Sequence, residues 1–103
     1  MTIYFLKGSS GFIKIGRSQN FDKRLSEIRR ATTDSEVLVL KVFNGTDDLV
    51  IDLERQLLNE LKEYNFKGEW FYDTPEVQAS LVECDRLFNP ENYKECSHGD
   101  SPS

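Results

Sequence analysis

The chain is apolar without a breaker from Thr2 to Lys7, turns through GSSG at 8–11, and resumes strand-like alternation in FIKIG at 12–16. This pattern predicts a hairpin of two strands. Phe21, Leu25 and Ile28 then recur at helical spacing, and Ser18 or Asn20 can cap a helix over about 21–31. Residues 32–35 are polar and loop-like. The run from Val37 to Phe43 is so nearly continuous in apolar character that a third strand is expected there, central to the sheet. Asn44-Gly45 reads as a turn, and Thr46 caps a long helix over about 47–63 whose first turn carries Asp47 and Asp48, as the helix dipole favours. GEWFY at 68–72 is a short aromatic segment, either strand or irregular, and Thr74-Pro75 opens a third helix through about Leu87. The order β-β-α-β-α, then an aromatic segment and a final helix, implies an α+β domain. A small three-stranded sheet flanked by helices is expected, with residues 1–93 as one domain and the polar stretch 94–103 as a disordered tail.

Composition narrows the class. Twelve aromatic residues in 103 argue against disorder. No apolar run has the length of a membrane span, and MTIYFLK has no basic leader or cleavage site. A cytoplasmic protein without a membrane partner is therefore expected. Cys84 and Cys96 are too few for a disulfide framework, and their spacing with His98 matches no zinc pattern. The net charge of −5 is unevenly spread: residues 1–31 hold seven Lys/Arg against two acids, a local +5, and the remainder carries −10. A basic third on an acidic body can offer a local phosphate-binding patch.

Helix geometry singles out two charges. Phe21, Leu25 and Ile28 define the buried stripe of the first helix, and Arg24 borders that stripe where Lys23, Glu27 and Arg30 do not. On the second helix the neighbours of Glu54 one and two turns away are Val50, Ile51, Leu57, Leu58 and Leu61, all apolar. A carboxylate in such surroundings must be protonated, paired, metal-bound or placed at the floor of a cleft, because burying it unpaired costs several kcal/mol. A structural ion pair with Arg24 or another base at the core's edge is one solution; a metal ligand or acid/base group is the other.

Taken in order, these residues resemble the GIY-YIG nuclease superfamily, over about residues 2–73. Thr2-Ile3-Tyr4 stands where its first motif would be and Lys14-Ile15-Gly16 where its second would be; Arg24 in NFDKRLSEI matches its arginine, and Glu54 in LVIDLERQLL its glutamate. KIGRSQNFDKRL with GEWFY downstream looks most like the phage and bacterial branch whose second motif reads KIG. The resemblance implies hydrolysis of phosphodiester bonds in DNA with one Mg²⁺ (or Mn²⁺). Glu54 would hold the metal, Arg24 the scissile phosphate, and Tyr4 would position or deprotonate the attacking water. Lys14 replaces the second motif tyrosine; it could contact a phosphate or act as a base if its pKa were depressed. With Arg17 and Lys23 it completes the expected phosphate contacts, while Lys7, Arg29 and Arg30 read as a diffuse positive surface. Any specificity would come from a homodimer, a protein partner or nucleic-acid structure. The alternative is a module of the same fold with weakened catalysis, binding nucleic acid, a nucleotide-like ligand or a host protein.

A shared site requires Tyr4 and Lys14 on one face of the sheet. A three-residue loop, Gly8 to Ser10, sets them directly opposite each other and is the expected register. Trp70 is read as a core anchor with base stacking as its other use, and Cys84 as a small buried residue.

Overall fold

The computed structural model describes residues 1–32 and 36–93; the expected tail and most of the polar loop at 32–35 lie outside them. Its elements are β1 (Thr2–Gly8), β2 (Ile13–Ser18), α1 (Phe21–Ala31), β3 (Val37–Asn44), α2 (Asp47–Glu60), β4 (Asn65–Lys67), β5 (Trp70–Phe71) and α3 (Pro75–Phe88). The class is α+β, but the sheet has five antiparallel strands, ordered β3-β1-β2-β5-β4, where three were expected. The two additional strands are three and two residues long. Neither is long enough to show a period in sequence. Asn65 fastens them, its side-chain amide donating to the carbonyls of Gly68 (2.7 Å) and Trp70 (3.1 Å).

Side-chain caps start α1, α2 and α3. Asn20 Oδ1 accepts from the Lys23 N–H at 3.2 Å, Thr46 Oγ1 from Leu49 at 3.3 Å and Thr74 Oγ1 from Val77 at 3.2 Å. The second helix ends at Glu60 rather than 63, because its last turn tightens into a 3₁₀ turn over Lys62–Tyr64.

The β1–β2 loop runs from Ser9 to Gly11, one residue later than expected. Gly11 takes φ +98°, and its N–H returns to the Gly8 carbonyl at 2.9 Å. A three-residue hairpin loop places its left-handed residue last, and here the glycine that can occupy that position is Gly11. The shift moves the pairing by two residues: Tyr4 faces Gly16, and Lys14 faces Leu6. Parity is preserved, so Tyr4 and Lys14 do share a face.

The apolar run at 37–43 is not the central strand; β3 lies at the sheet's edge, β1 is interior between β3 and β2, and β2 is at the middle. A bulge between the Lys41 and Val39 pairings switches the run from one face to the other. Val37 thereby packs with Tyr4, Leu6 and Ile28, while Phe43 packs with Ile3, Phe5 and Ile15. An apolar run serving two faces from an edge looks, in sequence, like a strand buried on both sides. The molecule has three layers: α1 covers the Tyr4–Leu6 face, and α2 and α3 cover the Ile3–Phe5 face through Val50, Leu57, Val77 and Cys84.

Candidate functional site

Tyr4 sits in the interior strand β1 with 1% of its surface exposed, its ring 5.3 Å from that of Phe21 on α1. Across the pair its ring lies over Gly16. A Cβ added there would stand 2.6 Å from Tyr4 Cζ and 2.9 Å from Cε1, with the hydroxyl closer still. The glycine of KIG thus gives the phenol room to reach the outer edge of β2. Burial pushes the Tyr4 hydroxyl pKa up; the neighbouring Arg24 guanidinium opposes this, and the charges of Glu69 and Glu54 reinforce it. The phenol therefore stays protonated at neutral pH.

Lys14 and Arg24 line an open cleft of about 430 Å³ together with Glu27, Lys67, Glu69 and Trp70. Lys14 is 8% exposed; its ammonium lies 3.6 Å from Glu69 and 5.3 Å from the Trp70 ring centroid. Desolvation pulls its pKa down, partly offset by Glu69. Arg24 reaches Glu27 at 3.5 Å and the Tyr4 hydroxyl, which together with Glu27 keeps its own pKa up. Trp70 is half-buried, packed against the Tyr4 and Leu6 cluster while lining the cleft, so it serves as core anchor and cleft wall at once.

Glu54 is buried, 7% exposed, as its apolar neighbours on α2 imply. Its partner is Arg17, whose Nε donates to Oε1 at 2.8 Å. Arg24 does not fill that role. Burial raises the Glu54 pKa; Arg17 lowers it, and Glu69 raises it further. Glu54 does not line the Lys14–Arg24 cleft, because α2 lies on the other face of the sheet.

The two faces meet at one place. Pairing of β2 with β5 ends at Lys14–Trp70, followed by one bond from the Ile15 N–H to the Glu69 carbonyl at 3.1 Å. Among the described residues β2 pairs with no strand but β1 from Gly16 to Ser18, which leaves its other side an open edge. Tyr4 and Arg24 approach that edge from the α1 side and Glu54 with Arg17 from the α2 side, which is why Tyr4 senses both Glu54 and Glu69.

Lys23 stands apart, exposed on α1 and away from the cleft lining. Glu69 and Lys67 belong to the site although sequence reading passed over them. The only signal was a charge on each side of Gly68, just before the aromatic strand. Among the described residues no group of three or more His, Cys, Asp or Glu forms a metal cage. Mg²⁺ needs no such cage: one carboxylate with water and phosphate oxygens suits it. Glu54 fits that requirement, a desolvated carboxylate that already holds one cationic group, the Arg17 guanidinium, against it.

The fold and this edge define a small α+β module with a cationic cleft beside a buried carboxylate. Residues 1–86 match the T5orf172 domain, and the chain belongs to that family, a phage-associated domain of nuclease context. No curated protein and no solved structure matches it. No helix among the described residues is long and apolar enough to cross a membrane.

Proposed function

We propose that the chain is a metal-dependent endonuclease of GIY-YIG type, hydrolysing phosphodiester bonds in DNA. The supporting observation is the placement of Tyr4 against Gly16, with Lys14 and Arg24 lining the cleft on one face of the sheet and Glu54, paired to Arg17, on the other. Arg24, at the mouth of the cleft, binds a non-bridging phosphate oxygen and stabilises the charge that develops there. Tyr4 stays protonated and orients the attacking water through its hydroxyl, so it positions and does not deprotonate. Lys14, an ammonium held beside Glu69, contacts the phosphate as a cation, and the attacking water's proton passes to bulk solvent at the open edge. Mg²⁺ held by Glu54 would supply Lewis-acid charge to the phosphoryl and leaving oxygens. Arg17 must then release Glu54 and is free to contact the phosphate backbone.

That same 2.8 Å contact favours a second reading, a binding module in which Arg17 permanently satisfies Glu54. A plasmid-nicking assay with Mg²⁺ or Mn²⁺ separates the two. The enzyme reading expects cleavage by the wild type and a fall of about 100-fold or more in Glu54→Gln and Arg24→Ala variants that remain folded. Nicking that survives Glu54→Gln, or a wild type inert with both metals, leaves the module.

A further inference from the structure

Beyond the cleft, the same sheet face carries an aromatic surface that the reaction does not use. Phe12 and Phe66 stack with centroids 4.1 Å apart and planes 7° from parallel, and Tyr72 stands edge-on to both at 5.6 and 5.7 Å. Phe66 and Tyr72 are each 48% exposed. Strand phase puts this surface beside the cleft. Ile13 pairs with Phe71 and both point into the α2–α3 core, so Phe12 and Tyr72, one residue further on, continue the face of Lys14 and Trp70. Two residues along a strand is about 7 Å. From Arg24 and Lys14 outward, the surface runs through Lys67 and Trp70 to the half-buried ring of Phe12 and the exposed rings of Phe66 and Tyr72.

We propose that this face binds unpaired bases, so that the DNA taken by the site is single-stranded, or locally opened, next to the bound phosphate. The inference rests on Lys14 and Arg24 being the phosphate contacts. Aromatic rings bind the π-faces of bases, which duplex DNA hides within its stack, while adjacent cations track the backbone. The charge distribution favours the same substrate. The cleft's three cations face only Glu27 and Glu69, whereas the chain beyond residue 31 is net −10, which opposes wrapping a duplex of high charge density.

The test is fluorescence anisotropy in EDTA, so that no cleavage intervenes, with a labelled dT 12-mer and a 12-base-pair duplex. Wild type binds the single strand at least about tenfold more tightly, and Trp70 fluorescence changes on binding. Phe66→Ala with Tyr72→Ala loses about 10- to 100-fold for the single strand and little for the duplex. Phe66→Trp retains the affinity, which separates stacking from loss of fold. Equal affinity for the two DNAs, or undiminished single-strand binding by the double-alanine variant, overturns the proposal. So does a wild type that binds neither DNA yet self-associates through these rings, since the face is then a protein contact. Arg24→Ala weakens both DNAs if it binds phosphate; an Arg24→Ala variant that binds normally while the aromatic variant fails refutes the catalytic reading and leaves the base platform standing.

Discussion

Gly16→Ala is the substitution that most directly tests how the site is built. Gly16 has no positive φ, so its backbone suits any residue, and removing a strand glycine without strain ordinarily gains about 0.4–1 kcal/mol. Here the added methyl meets the Tyr4 ring, at 2.6 Å from Cζ and 2.9 Å from Cε1. The ring cannot swing clear, because it is buried against Phe21 and packed in the cluster of Leu6, Ile28 and Val37. Overpacking of this kind costs about 1–3 kcal/mol, and the involvement of several ring atoms points to about 2–3. For a domain of this size that lowers Tm by about 8–24 °C. The assay is a double-mutant cycle with Tyr4→Leu, read by urea denaturation. With the ring shortened, Gly16→Ala should cost less than about 1 kcal/mol, a coupling of at least about 1 kcal/mol. Equal costs in both backgrounds, additive within about 0.5 kcal/mol, would refute the reasoning that glycine is required by the phenol crossing the strand.

Other consequences concern the buried ionisable groups. Folding raises the Glu54 pKa above its ordinary 4.5, so the folded state holds this proton more tightly; the associated stability is full below pH 4.5 and lost as pH rises through the folded value. The Tm advantage of Glu54→Gln over wild type should accordingly be larger at pH 7 than at pH 4, and a difference that is flat or reversed contradicts the assignment. Arg17→Met strands the Glu54 carboxylate and should cost about 2–3 kcal/mol at pH 7, below the range for a fully buried pair because Arg17 is partly exposed. Added Mg²⁺ or Mn²⁺ should restore part of that loss in thermal melts; no metal-dependent shift in the variant counts against Glu54 as a ligand. Burial pushes the Cys84 thiol up to about 12, so in a Cys96→Ser background it should react with a thiol reagent at pH 8 only on unfolding.

What was legible in the sequence followed from periodicity and from chemistry tied to one position. The stripe Phe21, Leu25 and Ile28 and the caps Asn20, Thr46 and Thr74 are found where their patterns put them. Glu54 was legible for the same reason: five apolar helical neighbours leave a carboxylate nowhere to be but inside. Its partner was not legible, because Arg17 reaches it across the sheet edge, and side-chain reach between elements leaves no spacing in the chain. Hairpin parity could be read, but the rung could not. GSSG holds two glycines able to take positive φ, and moving the three-residue loop by one residue moves every partner by two. The edge position of β3 was hidden by its bulge, since the apolar run VLVLKVF records that both faces are served, not from where.

The acidic composition and the cationic cleft are reconciled at the edge of β2. Three of the cations gathered there have a carboxylate: Arg24 with Glu27 at 3.5 Å, Lys14 with Glu69 at 3.6 Å, and Arg17 with Glu54 at 2.8 Å. The first two contacts are long and partly open to water, so an incoming phosphate can displace the carboxylate without having to recruit the cation from solvent. The third is short, with its carboxylate desolvated, and is the hardest of the three to exchange. The charges for binding phosphate are therefore held in place and weakly countered, whereas the carboxylate offered to a metal is strongly countered. Binding of a phosphate strand should be easier for this chain than arming of Glu54. A metal alone must displace Arg17 unaided, but a bound strand gives that guanidinium a second anion to turn toward. On this account nucleic acid and divalent cation bind with positive coupling, each favouring the state in which Arg17 has left Glu54.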